Sequence, residues 1–137
     1  PRDIQNNSVF VGRRDKEPKD KMSYQVQDFA AQFTQILDEI QNNIYNNALT
    51  YRNENTIQIN NKEEFYKYFT PKNAERPEIH GGFAESHWCG CQECEDQIKN
   101  DLKVTIRCIP LQAKQETGKC VCCGKESTQR VIFAKSY

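Results

Sequence analysis

The chain has 137 residues and a mass of 16.0 kDa, which suits one domain, or one small domain and part of a neighbour. Hydrophobic residues make up 36% and charged residues 28%, so any core is small and needs a metal or oligomer contacts to support it. Lys and Arg number 19 and so do Asp and Glu, leaving no formal net charge. A stand-alone nucleic-acid binder carries a basic excess, because phosphate neutralisation supplies most of its affinity. No apolar run reaches the length of a membrane span or a secretory signal. The odd count of seven cysteines, with no secretory signal, argues against a disulfide scaffold and for a reducing, cytoplasmic setting. The chain opens on Pro1 and its only methionine is Met22, so a fragment is expected.

In chain order, Ser8 to Arg13 (SVFVGR) has strand character, and the charged stretch Arg13 to Asp20, with Pro18, is expected to be a loop. A long helix is expected from about residue 24 to about residue 52, with Ser23 as its N-cap. Its apolar face carries Val26, Phe29, Ala30, Phe33, Ile36, Leu37, Ile40, Ile44 and Ala48. Thr56 to Ile59 (TIQI) alternates as a short strand. Asn60, with Glu63 three residues on, resembles a capping box for a short helix bearing Phe65 and Phe69, which Thr70-Pro71 ends. Residues 71 to 80 are polar and loop-like, and FAESHW after Gly81-Gly82 predicts a strand. EDQIKNDL predicts a helix showing Ile98 and Leu102 to the core. VTIRCI predicts a strand stopped by Pro110, with Cys108 as a core residue. A polar loop is expected to run to Cys123-Gly124, and RVIFAKS predicts the last strand. From Thr56 onward the order is β-α-β-α-β-β, a two-layer α+β unit.

Six of the seven cysteines fall in two groups: Cys89, Cys91 and Cys94, then Cys120, Cys122 and Cys123. Zinc takes four soft ligands at tetrahedral corners, offered as two closely spaced pairs. Turns of this kind also aim backbone N–H groups at the sulfurs, and the cation keeps the ligands ionised. Free buried thiols and disulfides fit this clustering less well. In the first group, spacing leaves Cys89 with Cys94 and Cys91 with Cys94 both open. In the second, Cys120 with Cys123 is preferred, because C-x-x-C followed by Gly124 makes a zinc-knuckle turn, and Cys120 with Cys122 is the rival. Four thiolates fill the coordination shell, so the metal is expected to be structural. His87, in a strand beside Trp88, is expected to be packed and not a ligand, and His80 to lie in a loop. From Cys89 to Tyr137 there are eight Lys or Arg and six Asp or Glu, too small an excess for an RNA-binding stripe once a thiolate-rich centre is present.

Taken in order, PRDIQNNSVFVGRRD, ALTYRNENT, GGFAESHWCG, CEDQIK, RCIP, GKCVCCGK and FAKSY resemble the C-terminal region of prolyl-tRNA synthetases of the archaeal/eukaryotic-like type. The resemblance covers nearly the whole chain. It implies a class II aminoacyl-tRNA synthetase, a homodimer that uses ATP and Mg²⁺ to join proline to tRNA(Pro), with partner catalytic and anticodon-binding domains in the same chain. It also implies that residues 1–53 are the strand and long helix ending the α/β anticodon-binding domain, and residues 54–137 an α+β zinc-binding domain. The family's first ligand pair is spaced C-x4-C, which falls on Cys89 and Cys94 and leaves Cys91 outside. The second pair varies between C-x-C and C-x-x-C, so Cys122 and Cys123 both remain open beside Cys120. The family's ATP- and proline-binding signatures are absent from these residues, so no catalytic residue is expected here.

Tyr137 is expected to be the natural C-terminus, and the resemblance implies that its carboxylate points towards the synthetase active site. Packing of its ring on the core is the plainer alternative. Two other functions fit less well. A stand-alone zinc-dependent protein- or nucleic-acid-binding module should show a concentrated charged or apolar patch. A thiol redox enzyme using Cys120 to Cys123 lacks the strand-then-helix placement of a thioredoxin-like site.

Overall fold

The structure, a computed structural model, describes residues 2–73, 75–76 and 78–136. Tyr137, with its expected carboxylate role, lies outside the described residues. The chain forms two compact units, Pro1–Tyr51 and Arg52–Tyr137.

The first unit begins with a short helix, α1 (Arg2–Gln5), followed by strands β1 (Ser8–Gly12) and β2 (Lys21–Gln25) and the long helix α2 (Val26–Glu54). The expected N-cap Ser23 instead sits mid-strand in β2, opposite Phe10, and the helix starts at Val26. Antiparallel pairing from Ser8↔Gln25 to Gly12↔Lys21 claims these residues for a hairpin, a non-local contact that helical periodicity does not register. The first helical N–H, that of Val26, is taken up by the Asn7 carbonyl at 3.0 Å. A polar clamp ties the hairpin loop to α2. Arg13 bridges Asp15 at 2.9 Å and Glu39 at 2.8 Å, and the Asn43 amide donates to Asp15 at 3.0 Å. The Arg13 guanidinium holds the Asp15 carboxyl well below the usual carboxylate range. Among the described residues of this unit only Ile36 is buried, while Phe33, Leu37 and Ile44 on α2 are exposed. The unit does not enclose a core of its own.

The second unit continues with β3 (Thr56–Gln58), α3 (Lys62–Phe69), β4 (Phe83–His87), α4 (Gln92–Leu102), β5 (Val104–Cys108), a two-stranded ribbon of β6 (Gly118–Lys119) and β7 (Glu126–Ser127), and β8 (Arg130–Lys135). Its main sheet has the order β3-β4-β8-β5. Strands β3 and β4 are parallel and joined through α3, and β8 runs antiparallel between β4 and β5. Period-two alternation directs Ala84, Val131, Phe133 and Val104 to one face, where Phe65 and Phe69 of α3 and Ile98 and Leu102 of α4 meet them. This is the expected two-layer α+β architecture. Phe65 packs edge-on against Phe69 and Phe133, with ring centroids 5.0 and 5.1 Å apart. The Lys135 ammonium donates to the Phe69 carbonyl at 2.8 Å, which places a cation at the C-terminus of α3.

Three local expectations differ from the structure. The cap of α3 is Asn61 paired with Glu64, one residue later than Asn60 and Glu63. The Glu64 N–H donates to Asn61 Oδ1 at 2.8 Å, and the Asn61 amide donates back to the Glu64 carboxylate at 3.0 Å. Cys108 is exposed and not in the core. Strict alternation after Val104 and Ile106 turns it inward, but a β-bulge between Ile106 and Cys108 sets Cys108 opposite Ile132 and reverses its face. The loop before Cys123-Gly124 holds β6, whose partner β7 follows; both are too short to leave a periodic signal.

Lys103 joins α4 to β5 in the left-handed conformation, φ 59° and ψ 34°, with an exposed side chain. Its N–H reaches Lys99 O at 3.0 Å, and its carbonyl accepts from Ser136 N at 2.7 Å. A residue with a Cβ pays roughly 1–2 kcal/mol in this conformation, which glycine avoids. Lys103→Gly is therefore expected to raise thermal stability by roughly 1 kcal/mol, or about 4–8 °C for a unit of this size. A melt by circular dichroism showing an unchanged or lower midpoint contradicts this account of the turn.

Candidate metal centre

The two cysteine groups occupy the two turns nearest one end of the β4–β8 pair. The first turn links β4 to α4 and carries Cys89, Gly90 and Cys91; Cys94 follows in the first turn of the helix. The second is the loop of the β6–β7 hairpin. It is closed by Cys120 N to Lys125 O at 2.8 Å and Gly124 N to Cys120 O at 2.9 Å. Each turn contains the pattern Cys-Gly-x, with Gly90 at φ 82° and Gly124 at φ 74°. The left-handed glycine folds the next residue back, so the Cys91 N–H meets the Cys89 sulfur and the Lys125 N–H meets the Cys123 sulfur. A Cβ at either glycine meets no heavy atom within 4 Å, so φ alone demands glycine there.

The sulfurs of Cys89, Cys94, Cys120 and Cys123 all lie within 4.8 Å of one another. Cys89 Sγ is 3.8 Å from Cys94 Sγ and 3.7 Å from Cys123 Sγ. A tetrahedron with Zn–S bonds of about 2.3 Å has edges of ~3.8 Å, which the two Cys89 separations match. Four cysteines at these separations can hold a metal ion.

The remaining cysteines are used otherwise. Cys91 donates to the Glu93 carboxylate, and its carbonyl accepts from the Trp88 indole at 3.1 Å. Cys122 is buried, with its thiol donating to Gln97 Oε1 at 3.3 Å. His87 is also buried but stands outside the sulfur cluster. Its Nδ1 lies 3.4 Å from Ser127 Oγ and its Nε2 3.4 Å from Glu116. His80 lies in the loop after α3, with its Nε2 2.9 Å from Tyr68 O. The matched glycines were the missed signal. Gly124 stands out beside Cys123, but its partner Gly90 makes Cys89-Gly90 the equivalent corner.

The electrostatics of the cluster favour a cation. Burial pushes the Cys94 thiol far up and the Cys89 thiol up as well, because ionising one crowded sulfur among others in a partly dry site is unfavourable. Cys123 moves the other way, to about 7, chiefly through the Lys125 N–H. Cys94 also sits in the first turn of α4, where the helix N-terminus favours negative charge. A divalent ion supplies the missing stabilisation to all the thiolates at once.

Cys123→Ser is expected to weaken zinc binding by more than the ~10–100-fold typical of losing an outer-shell partner, whereas Cys122→Ser should leave it nearly unchanged. Competition against a chromophoric chelator measures both. Equal losses in the two variants would mean that Cys122 shares the site.

The family model described as "Prolyl-tRNA synthetase, C-terminal" matches residues 76–137, a segment that includes all four cysteines. The chain is 47% identical over 138 residues to the proline–tRNA ligase of Protochlamydia amoebophila, covering 100% of the chain and 27% of that relative. It is 45% identical to proline–tRNA ligase 2 of Anaeromyxobacter dehalogenans, covering 100% of the chain and 28% of that relative. Among solved structures, prolyl-tRNA synthetase from Cryptosporidium parvum complexed with L-proline and AMP superposes with a TM-score of 0.72 at 26% identity, over 100% of this chain and 27% of that one. The chain thus spans 27–28% of the length of these relatives. On these matches the chain is similar throughout to the C-terminal region of prolyl-tRNA synthetases, and residues 76–137 carry that family's C-terminal domain.

Proposed function

We propose that this chain is the non-catalytic C-terminal part of a proline–tRNA ligase, and that Cys89, Cys94, Cys120 and Cys123 hold one structural zinc ion in it. The observation that carries this reading is the fourfold sulfur cluster, built on two matching Cys-Gly turns inside the segment that the C-terminal family model matches. Proline activation with ATP and Mg²⁺, and transfer to tRNA(Pro), belong on this reading to the parts of the relatives that this chain does not cover. Its partners are then the catalytic and anticodon-binding domains of the same polypeptide, within a cytoplasmic homodimer. The exposed apolar stripe of α2 supports a domain division near residue 53, because a helix of that kind needs more protein against it than residues 1–53 provide. Among the described residues no helix is long and apolar enough to cross a membrane.

Zinc, when bound, neutralises the crowded thiolates and cross-links two turns that are 25 residues apart in sequence. The chain's own residues do the rest. Two glycines set the corners, backbone N–H groups of Cys91 and Lys125 meet the outer sulfurs, and Val121 and Cys122 seal the inner side within the core.

One zinc per chain is expected by elemental analysis, and its removal by chelator should unfold the second unit and change the fluorescence of Trp88, which packs on the core. Verified metal removal with unchanged Trp88 emission would argue against a structural role. Because Cys89 and Cys94 must lose protons to bind, and their thiols are shifted up, zinc affinity should fall steadily as pH drops from 8 to about 5; a pH-independent affinity contradicts the thiolate ligand set. The full-length protein should catalyse proline-dependent ATP–pyrophosphate exchange and the 137-residue chain should not. Exchange by the chain alone would overturn the non-catalytic reading.

A further inference from the structure

Two buried polar side chains outside the sulfur cluster connect both of its turns. His87 is 3% exposed and Ser127 is 5% exposed. Neither is a candidate ligand, and neither faces the core that α3 and α4 cover. Alternation along β4 places Ala84 and Ser86 on that core face and His87 on the opposite one, where the β6–β7 ribbon lies over it. The approach is close: a Cβ on Gly118 of the ribbon would stand 2.2 Å from His87 Nε2.

The hydrogen bonds run from this pair to each turn. Ser127 Oγ donates its single proton to the Trp88 carbonyl at 2.7 Å, with the Gln129 carbonyl 2.9 Å away, and Trp88 immediately precedes Cys89. His87 Nδ1 reaches the same Ser127 oxygen at 3.4 Å. The His87 carbonyl accepts from Val121 N at 3.0 Å, and Val121 immediately follows Cys120. On its far side His87 Nε2 lies 3.4 Å from Glu116, which Arg130 holds in an ion pair. One short chain of contacts therefore spans from Trp88, beside the first sulfur pair, to Val121, beside the second.

Resting on the reading of the four cysteines as a zinc site, we propose that His87 and Ser127 are positioning residues of the metal centre, fixing the separation of the two turns at the value a tetrahedral ion requires. Outer-shell partners of this kind typically change metal affinity by about 10–100-fold when removed, although they do not touch the ion. Ser86 supplies an internal control. It is a serine on the same strand, 0% exposed, whose hydroxyl has no hydrogen-bond partner among the described residues. Its removal should leave the turns where they are.

The experiment compares the wild-type 137-residue chain with Ser127→Ala, His87→Phe and Ser86→Ala. His87→Phe keeps a ring but loses the polar contact to Ser127. Zinc affinity is read by competition with a chromophoric chelator. The geometry is read from the charge-transfer and d–d absorption of bound cobalt(II), which reports tetrahedral thiolate coordination. Far-UV circular dichroism follows the fold. Ser127→Ala and His87→Phe are expected to bind zinc about tenfold more weakly or worse, with altered cobalt bands and a retained helix signal; Ser86→Ala should stay within about twofold of wild type. A wild-type chain that takes up neither metal overturns the zinc reading and this role with it. A wild-type chain that binds both, with Ser127→Ala and His87→Phe within twofold and spectrally unchanged, overturns the positioning role alone. Loss of the fold in both variants at saturating zinc also overturns it, because the pair would then serve the whole unit and not the spacing of its turns.

Discussion

The second unit is organised by the meeting of four sulfurs from two turns that the sheet brings side by side. Its hydrophobic core is small and contains two of those four cysteines, Cys94 and Cys120, together with Cys122, alongside Phe65, Phe69, Ile98 and Phe133. The inner wall of the cluster is therefore also the edge of the core. Loss of either weakens the other: without a cation the thiols are crowded and costly to ionise, and without the core the two turns have no reason to be near each other. On the proposed zinc reading, metal binding energy is in this sense folding energy.

The fold serves that meeting through β8. It lies between β4 and β5, so the chain must leave β4, cross through α4, return on β5 and only then insert its final strand. The first turn sits at the exit from β4 and the second just before the entry to β8. Pairing of β4 with β8 consequently juxtaposes them. Lys103, in its left-handed turn, begins the return path, and the Ser136 backbone bonds to it from the far end of β8. The first unit works differently. It has a hairpin and a long helix clamped by Arg13, Asp15, Glu39 and Asn43, with one buried apolar residue and a row of exposed ones. Polar contacts set its geometry but do not close a core among the described residues.

Much of this was legible in the sequence, because it depends on contacts a few residues apart. Helical periodicity marks α2 and α4, Phe65 and Phe69 mark α3, and the alternating runs mark β3, β4, β5 and β8. The paired cysteine groups point to a metal, since thiols spaced two to five residues apart converge whatever surrounds them. Spacing could not choose among six cysteines. That choice depends on φ at Gly90 and Gly124, which turns Cys89 and Cys123 toward the sulfur cluster and leaves Cys91 and Cys122 to Glu93 and Gln97.

Tertiary structure decided the rest, each time through a partner distant in sequence. Ser23 belongs to a strand because Phe10 lies across from it, not because of its neighbours. Cys108 faces outward because a bulge against Ile132 reverses the parity that Val104 and Ile106 establish. His87 and Ser127 meet across 40 residues, and neither carries a local mark of the other. The sequence by itself thus determined the types of element and the presence of a thiol-rich site, because both follow from short-range periodicity and spacing. Which side chains enter that site, and what supports them, was decided only when strands far apart in the chain paired, because pairing sets the register and register sets the face.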